Sequence, residues 1–203
     1  MTHLQRVLVA YEQAKTRLIA QKREEIAALA QLALCNNTRY SLEIGAERGG
    51  TSLLFSLLFR QHVAVDVAPA FSPAELGRDN LVLLRGASTD PSLLRQVSQF
   101  GNRGRYDLIF VDGDHTYDGV SRDFAAYSPL LRPGGIIAFH DIVDSDVHRQ
   151  RRCEVARFWN EIKYNGPHLE LVTEPYDYMG IGVMWYRPKD WDYRHALDRV
   201  VRS

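Results

Sequence analysis

Short apolar runs alternate with longer amphipathic segments along most of this chain. Apolar residues recur at every third or fourth position over residues 4–34, without a glycine or proline, which predicts an N-terminal helical segment. Seven short apolar runs then predict strands, at 40–44, 62–67, 81–84, 108–111, 136–139, 169–172 and 181–186. The intervening segments predict helices at 51–60, 91–100, 118–130 and 146–164, and a loop with a short helix at 68–80.

This alternation of strands and helices predicts an α/β fold, in which a mostly parallel sheet carries helices on both faces. The segment PYDYMG between the last two predicted strands is short enough for a hairpin-like connection. With 203 residues, the chain is long enough for one medium domain with a sizeable core. We therefore divide it into an N-terminal helical segment, residues 1–36, and one main domain, residues 37–203.

The composition is that of an ordinary globular protein, with 45% hydrophobic and 25% charged residues. The formal net charge is zero, so no overall field attracts nucleic acid or an anionic membrane. Only two cysteines are present, no signal peptide is recognised, and no apolar run approaches about 20 residues. We predict a cytoplasmic protein without nucleic-acid or membrane partners, and leave a homo-oligomer open. A basic cluster at 148–157 either binds an anionic substrate or forms a solvated helix face.

Acidic and imidazole side chains follow two of the predicted strands. Asp112, Asp114 and His115 come after strand 108–111, and His140 and Asp141 come after strand 136–139. Because polar groups at the carboxyl ends of parallel strands meet in one crevice, these side chains are expected to converge. The alternative is that they cap helices or form satisfied buried imidazoles. Neither cysteine is placed in this site, and the histidines interpreted as structural or solvated are His62, His148 and His168.

The glycine-rich segment GAERGG joins the strand at 40–44 to the helix at 51–60. Glycines at 45, 49 and 50 let the backbone approach a ligand closely, and the helix that follows offers free N–H groups. The spacing is not the GxGxxG of dinucleotide folds, and no GK[ST] follows. By itself such a turn is found in binding sites for several adenosyl cofactors, and it can also form only a tight bend of the chain.

Three further groups accompany this turn in a consistent order. Glu43 precedes it and could bind a cationic ligand end, and Asp66 ends the next strand, where it could accept ribose hydroxyls or cap a helix. Gly86, Ala87 and Ser88 follow the third strand, where they could contact an adenine ring or merely turn the chain. Together these groups favour an adenosyl ligand.

The motifs now form a recognisable set. They are E-x-G-x-x-x-G-G-T at 43–51, VAVD ending at 66, GAS at 86–88, DLIFVDGDHTYDGV and LLRPGGIIAFHD. They resemble class I S-adenosylmethionine-dependent methyltransferases, and more closely the branch with the cephalosporin-hydroxylase-type proteins and the macrolide-sugar and rhamnosyl O-methyltransferases. The resemblance covers residues 38–186. It implies a Rossmann-like, seven-stranded, mostly parallel sheet in the order 3-2-1-4-5-7-6, with the last strand antiparallel and helices on both faces.

The resemblance also implies which residues bind S-adenosylmethionine. Glu43 and Gly45 would contact the methionine moiety, Asp66 the ribose, and Ala87 with Ser88 the adenine. The set assigned to the cofactor is Glu43, Gly45, Ala46, Gly49, Gly50, Thr51, Asp66, Ala87, Ser88 and Asp112.

Catalytic and metal-binding roles follow from the same resemblance. In metal-dependent relatives the aspartate that ends strand four binds Mg²⁺, and an adjacent pair after strand five supplies two more ligands. Asp112 and the pair His140-Asp141 occupy these positions, which implies a divalent metal, with Mg²⁺ as the first candidate. Imidazole suits Zn, Fe or Ni better, so the identity of the ion stays open. His115, three residues after Asp112, matches the general base of the macrolide-sugar enzymes.

The predicted function is O-methylation of a hydroxyl on a small molecule, such as a sugar or a secondary metabolite. His115 and Asp112 would be its catalytic residues, with Asp114 as a further ligand or a group that orients His115. The chain lacks the [ND]PP[YF] loop of adenine-methylating enzymes and the Pro-Cys nucleophile of cytosine-methylating ones. Alternatives are a noncatalytic or accessory S-adenosylmethionine-binding protein and, disfavoured by the glycine spacing, an NAD-dependent oxidoreductase.

Overall fold

A computed structural model describes residues 1–175 and 177–186 of the chain; residue 176 and residues 187–203 of the predicted main domain lie outside the described residues. The strands form one seven-stranded sheet in the order β3-β2-β1-β4-β5-β7-β6. Their bounds are β1 Tyr40–Ile44, β2 Gln61–Asp66, β3 Leu81–Arg85, β4 Tyr106–Val111, β5 Leu131–His140, β6 His168–Leu171 and β7 Ile181–Trp185. Strands β1 to β5 pair in parallel, and β7 runs antiparallel to β5 and β6. The predicted fold, strand order and antiparallel last strand are confirmed.

Seven α-helices accompany the sheet in the part of the chain that the structure describes. Their bounds are α1 His3–Ala14, α2 Arg23–Cys35, α3 Gly50–Leu58, α4 Pro91–Val97, α5 Tyr117–Tyr127, α6 Asp146–Gln150 and α7 Val155–Ile162. None of the helices within the described ranges is long and apolar enough to cross a bilayer.

Two of the predicted helices are each divided in the structure. The prediction of one helix over 4–34 is wrong, because α1 ends at Ala14 and α2 begins at Arg23. The intervening residues include Leu18 and Gln21, which lie on the cavity described below. The helix predicted over 146–164 is also two helices, α6 and α7, and Arg152 between them has a φ of 58°.

The ends of other elements depart less from the predictions. Ser145 is the N-cap of α6, and its side chain accepts a hydrogen bond from the backbone N–H of His148 at 3.1 Å. Residues 73–77 form turns where a short helix was predicted. Strand β5 begins at Leu131, five residues earlier than predicted, and therefore includes the RPGG segment.

Alternating strand residues enter two different hydrophobic clusters, because successive side chains of a strand point to opposite faces. On one face, Ile109 and Phe139 pack with residues of α4, α5 and α7. On the other face, Phe110 and Ala138 pack with residues of α1, α2 and α3. Each fully buried side chain of this size contributes roughly 1.5–3 kcal/mol. Helices pack on both faces of the sheet and hold the central strands in place. The polar residues at the carboxyl ends of these strands are therefore held in fixed positions as well.

Candidate active site

A cavity of about 790 Å³ lies at the carboxyl ends of the five parallel strands. Its walls include the segments after β1, β2, β3, β4 and β5, together with residues 18–21 from the connection between α1 and α2. Ligands of open α/β sheets bind at this edge. The cavity is therefore the place where the predicted site residues can be compared with the structure.

The turn after β1 brings two strand ends into close contact. Gly45 has a φ of 89° and donates its N–H to the carbonyl of Val65 at 2.8 Å. A Cβ at residue 45 would lie 2.1 Å from the backbone oxygen of Asp112. Both the backbone conformation and the close approach therefore require glycine here.

The start of α3 is equally crowded. Gly49 is the N-cap of α3 and has a φ of 79°, and a Cβ there would lie 2.8 Å from the ring of Phe71. A Cβ at Gly50 would lie 2.0 Å from the backbone oxygen of Leu18. Thr51 donates its hydroxyl to Oε1 of Gln21 at 2.7 Å. The connection between α1 and α2 thus rests directly on the glycine turn.

Glu43 is buried at the floor of the cavity. Its Oε2 accepts a hydrogen bond from the hydroxyl of Ser52 and lies 3.2 Å from Nε2 of His62. No hydrogen bond to Oε1 is seen among the described residues. His62, interpreted from the sequence as structural or solvated, is buried behind this carboxylate and also contacts Ser41 at 2.8 Å.

The carboxylate of Asp66 is held by the backbone of two loops. Its Oδ2 accepts the N–H groups of Ala46 at 2.9 Å and Glu47 at 2.8 Å, and its Oδ1 accepts that of Ala68 at 2.7 Å. A carboxylate has about four lone-pair positions, so one position stays available for a hydroxyl of a ligand. After β3, Ala87 and Ser88 also line the cavity.

The acidic and imidazole side chains after β4 and β5 converge. Oδ1 of Asp112 lies 3.1 Å from Nε2 of His115 and 3.0 Å from Nδ1 of His140. His115 also faces the second carboxylate, with its Nδ1 at 3.2 Å from Oδ2 of Asp141. Asp141 has a φ of 63°, an uncommon conformation for a residue with a side chain. Asp114 instead is exposed, and its Oδ1 accepts the N–H of Thr116 at 3.0 Å.

The two carboxylates set the protonation of the imidazoles. Burial alone would raise the pKa of Asp112, but the adjacent His140 and His115 outweigh it and hold that pKa below its usual range. Burial alone would lower the pKa of His115, but the hydrogen bond to Asp112 and the charges of Asp112 and Asp141 raise it to about 11. The same carboxylates raise the pKa of His140. In this arrangement both imidazoles therefore carry a proton.

Three residues of this region were missed by the sequence reasoning. His148, interpreted as structural or solvated, places Nε2 at 3.2 Å from Oδ1 of Asp141. The placement of both cysteines outside the site was wrong for Cys153, whose sulfur lies within 4.8 Å of donor atoms of His115 and Asp141. Gln21 donates its side-chain N–H to Oδ2 of Asp112. Membership in the basic cluster at 148–157 could have drawn attention to His148, and Cys153 lies within the same range of residues. Gln21 carried no signal.

The arrangement also fits a divalent cation. One oxygen each of Asp112 and Asp141 and one nitrogen of His140 lie within 4.8 Å of one another. Carboxylate oxygens and imidazole nitrogens are common ligands of divalent ions. The three residues predicted to bind a metal are thus close enough to share one ion.

A family model described as "Methyltransferase domain" matches residues 42–142, from β1 to just beyond β5. The chain is 25% identical over 154 residues to "Probable caffeoyl-CoA O-methyltransferase 2" of Dictyostelium discoideum. The match covers 70% of this chain and 65% of that protein, which is just under two thirds of the relative's length.

Solved structures share the whole fold. An O-methyltransferase from Bacillus cereus, in complex with SAH, is 18% identical with a TM-score of 0.65, covering 92% of this chain and 91% of that one. The MycE methyltransferase of mycinamycin biosynthesis, in complex with Mg, SAH and mycinamycin VI, is 17% identical with a TM-score of 0.60. That match covers 91% of this chain and 55% of MycE. At such low identities the likeness establishes the fold.

Proposed function

We propose that this chain, which belongs to the class I S-adenosylmethionine-dependent methyltransferases, transfers a methyl group from S-adenosylmethionine to a hydroxyl of a small molecule. A sugar or another secondary metabolite is the proposed acceptor. The observation that carries the proposal is one shared cavity. The glycine turn and Asp66 line it together with Asp112, His115, His140 and Asp141.

The donor is proposed to bind along the ends of β1, β2 and β3. Oε1 of Glu43 is available for the cationic amino group of the methionine moiety, since the hydrogen bonds that are seen go to Oε2. Asp66 has one lone-pair position left for a ribose hydroxyl, and Ala87 with Ser88 lies where the adenine would follow. The remaining proposed contacts are from Gly45, Ala46 and Thr51 of the turn and from Asp112, which all line the cavity. Gly49 and Gly50, assigned to the cofactor from the sequence, are not among the lining residues and pack against Phe71 and Leu18.

The reaction is an in-line displacement, in which the acceptor oxygen attacks the methyl carbon and the sulfur leaves with the bonding electrons. Holding the two reactants in line can supply several kcal/mol, up to about 7–11 in ideal cases. The acceptor hydroxyl must lose its proton as it attacks, and we assign His115 to take it. A cation held by Asp112, His140 and Asp141 would lower the pKa of the hydroxyl.

The environment of His115 sets a condition on that role. An imidazole accepts a proton only in its neutral form, and Asp112 and Asp141 raise the pKa of His115 to about 11. Positive charge near these carboxylates offsets their effect and lowers that pKa. The proposed base, His115, therefore depends on the proposed cation site. A cation bound by Asp112 and Asp141 would lower the pKa of His115 and so favour the neutral imidazole that accepts a proton.

The partners and location are proposed on simpler grounds. We propose a cytoplasmic enzyme that acts on small molecules and not on nucleic acid or at a membrane. The zero formal net charge and two free cysteines support this proposal.

Two measurements test the function. The full chain is titrated with S-adenosylmethionine, S-adenosylhomocysteine and NAD, and we expect binding of the first two only. It is then incubated with methyl-labelled S-adenosylmethionine and a metabolite extract, with and without a chelator, and the labelled product is identified. Label on a small-molecule oxygen supports the proposal, whereas donor binding without any labelled product would favour the accessory, noncatalytic alternative.

The role of His115 has its own test. His115→Ala is expected to reduce methyl transfer by about 10²–10⁴-fold while S-adenosylmethionine binding changes little. The matched control is His168→Ala, since His168 lies on the edge strand β6, and its Nδ1 contacts only the carbonyl of Gly166 at 3.2 Å. Equal activity in the two variants would remove His115 from the mechanism.

A further inference from the structure

We infer that the carboxylate–imidazole cluster prefers a late first-row transition ion, such as Zn²⁺, Co²⁺, Ni²⁺ or Fe²⁺, over Mg²⁺, and that His148 and Cys153 belong to this site. The inference deepens the proposed function and rests on it only for the assignment of the cavity as the reaction site. Four kinds of observation carry it.

The spacing of the donor atoms is that of ligands around one ion. Nδ1 of His140 lies 3.0 Å from Oδ1 of Asp112 and 3.4 Å from Oδ1 of Asp141. Two atoms bound at about 2.1 Å are about 3.0 Å apart at a right angle and about 3.4 Å apart at a tetrahedral angle. Both distances from His140 therefore suit atoms bound to one ion, and the donor atoms of all three residues lie within 4.8 Å of one another.

The donor types favour a transition ion. Two imidazoles besides that of the proposed base, from His140 and His148, lie within 3.4 Å of the carboxylates of Asp112 and Asp141. Mg²⁺ is a hard ion that binds oxygen and usually keeps several waters, whereas imidazole suits Zn, Cu, Fe and Ni. A magnesium site would place oxygen donors where this chain has nitrogen.

His148 directs one ring nitrogen at Asp141. Its Nδ1 lies 2.7 Å from the carbonyl of Val143, and because a carbonyl can only accept, Nδ1 carries the hydrogen. In the neutral ring, Nε2 then presents a lone pair. That nitrogen is buried, lies 3.2 Å from Oδ1 of Asp141 and makes no hydrogen bond within the described residues. A neutral ring would therefore set two acceptors against each other, and either a proton on Nε2 or a cation bound by both atoms relieves that contact.

Cys153 adds a soft donor on the other side of Asp141. Its sulfur and donor atoms of His115 and Asp141 all lie within 4.8 Å of one another. Thiolates bind Zn²⁺ and other borderline or soft ions but are not ligands of Mg²⁺. Asp141 thus contributes to two adjacent groups of potential ligands, and both contain donors that disfavour magnesium.

The test uses the full chain after removal of metals with a chelator. Zn²⁺, Co²⁺ and Mg²⁺ are titrated by calorimetry, and the visible absorption of the Co²⁺ form reports nitrogen or sulfur ligation. We expect Zn²⁺ and Co²⁺ to bind at least 100-fold more tightly than Mg²⁺, with a Co²⁺ spectrum unlike that of the aqueous ion. Equal or tighter Mg²⁺ binding, or no binding of any of the three ions, would overturn the inference.

Variants locate the ion. His148→Gln is expected to weaken Co²⁺ binding by about 10–100-fold, the usual effect of losing a group that orients a ligand. His140→Asp is expected to narrow the ratio of Zn²⁺ to Mg²⁺ affinity, because it replaces nitrogen by oxygen. His168→Gln, remote from the cluster, should bind Co²⁺ like the unaltered chain. Unchanged binding in both His148→Gln and His140→Asp contradicts the inference, and if either variant fails to fold, the titrations of the unaltered chain still decide.

The two proposals fail in distinguishable ways. S-adenosylmethionine is titrated into the same metal-free and Zn²⁺-loaded samples. Donor binding with a preference for Mg²⁺ overturns the metal inference alone. Zn²⁺ binding at the cluster without donor binding overturns the proposed function and leaves the metal site in place.

Discussion

The two halves of the cavity are built in different ways. The donor half, made of the turn at 45–51, Asp66 and residues 86–88, is shaped mainly by backbone geometry: a Cβ at Gly45 or Gly50 would overlap main-chain atoms at about 2 Å. The reaction half, made of Asp112, His115, His140 and Asp141, is shaped by charged side chains 3.0–3.4 Å apart.

Because the two halves are built differently, we expect substitutions in them to change different properties of the chain. Backbone geometry tolerates no added volume, so changes in the donor half affect folding and donor binding together. Charged side chains can be replaced by neutral ones of the same shape, so changes in the reaction half affect chemistry and metal binding while the fold remains. Four substitutions test this contrast.

Gly45→Ala is expected to have the largest effect. The new Cβ would lie 2.1 Å from the backbone oxygen of Asp112, at a φ of 89°. We expect a loss of several kcal/mol in the free energy of unfolding, seen as a fall of roughly 10 °C in thermal midpoint, and no measurable S-adenosylmethionine binding. Gly77→Ala is the control, because Gly77 has a φ of 61° but nothing within 4 Å of its Cβ position. Similar losses in both variants would show that backbone conformation, and not close approach, decides.

Asp141→Asn is expected to separate chemistry from donor binding. Asparagine has the same shape and accepts the left-handed conformation that Asp141 adopts, with its φ of 63°. Removing the charge should lower methyl transfer by about 10²-fold or more, while the dissociation constant of S-adenosylmethionine changes by no more than about threefold. Asp144→Asn, an exposed carboxylate paired with Arg149, is the control. A parallel loss of donor binding would contradict the division into two halves.

Asp123→Asn tests a buried carboxyl next to the donor half. Asp123 is 1% exposed. Burial raises its pKa from 3.8 to about 6, and the interaction with Ser88, which lowers that pKa, offsets only part of the effect. The folded chain therefore favours the protonated form, so stability decreases as the pH rises from about 4 to about 6 and stays lower above that range.

A shift of about two pKa units corresponds to on the order of 3 kcal/mol. Because asparagine cannot ionise, Asp123→Asn should raise the free energy of unfolding at pH 8 by about 2 kcal/mol and flatten its change between pH 4 and 6. Denaturant unfolding at several pH values measures both effects. Asp79→Asn, at an exposed position, should stay within about 0.5 kcal/mol of the unaltered chain. An unchanged pH profile for Asp123→Asn would contradict the assignment.

Gln21→Ala is expected to give the smallest effect, and it affects both halves. Gln21 donates to Asp112 in the reaction half and accepts from Thr51 in the donor half at 2.7 Å. Losing this link should weaken donor binding and slow methyl transfer by about tenfold each, roughly 1.4 kcal/mol. Gln13→Ala, exposed on α1, is the control. A loss of donor binding alone would show that Gln21 supports only the donor half, and a loss of methyl transfer alone would show that it supports only the reaction half.

Much of the sheet and part of the site could be predicted from the sequence. Apolar runs placed all seven strands and missed a strand end by at most five residues, at the start of β5, because the central strands are buried on both faces and must be apolar. The carboxyl ends of parallel strands share one edge, so the positions of Asp112, His115, His140 and Asp141 after two such strands already implied their convergence. The order of the strands in the sheet and the roles of individual residues were predicted from the family resemblance and not from the periodicity of apolar residues.

Other features depended on contacts that no local pattern reveals. Residues 15–22 continue the apolar spacing of a helix, yet the chain leaves the helix there so that Leu18 and Gln21 can lie against Gly50 and Asp112. His148 enters the site from α6, and Cys153 enters it from the break between α6 and α7. The sequence by itself determined the strands and the residues at their ends, because these follow from burial and chain direction. Only the tertiary structure decided which distant side chains complete the site, since that depends on how separate segments pack against one another.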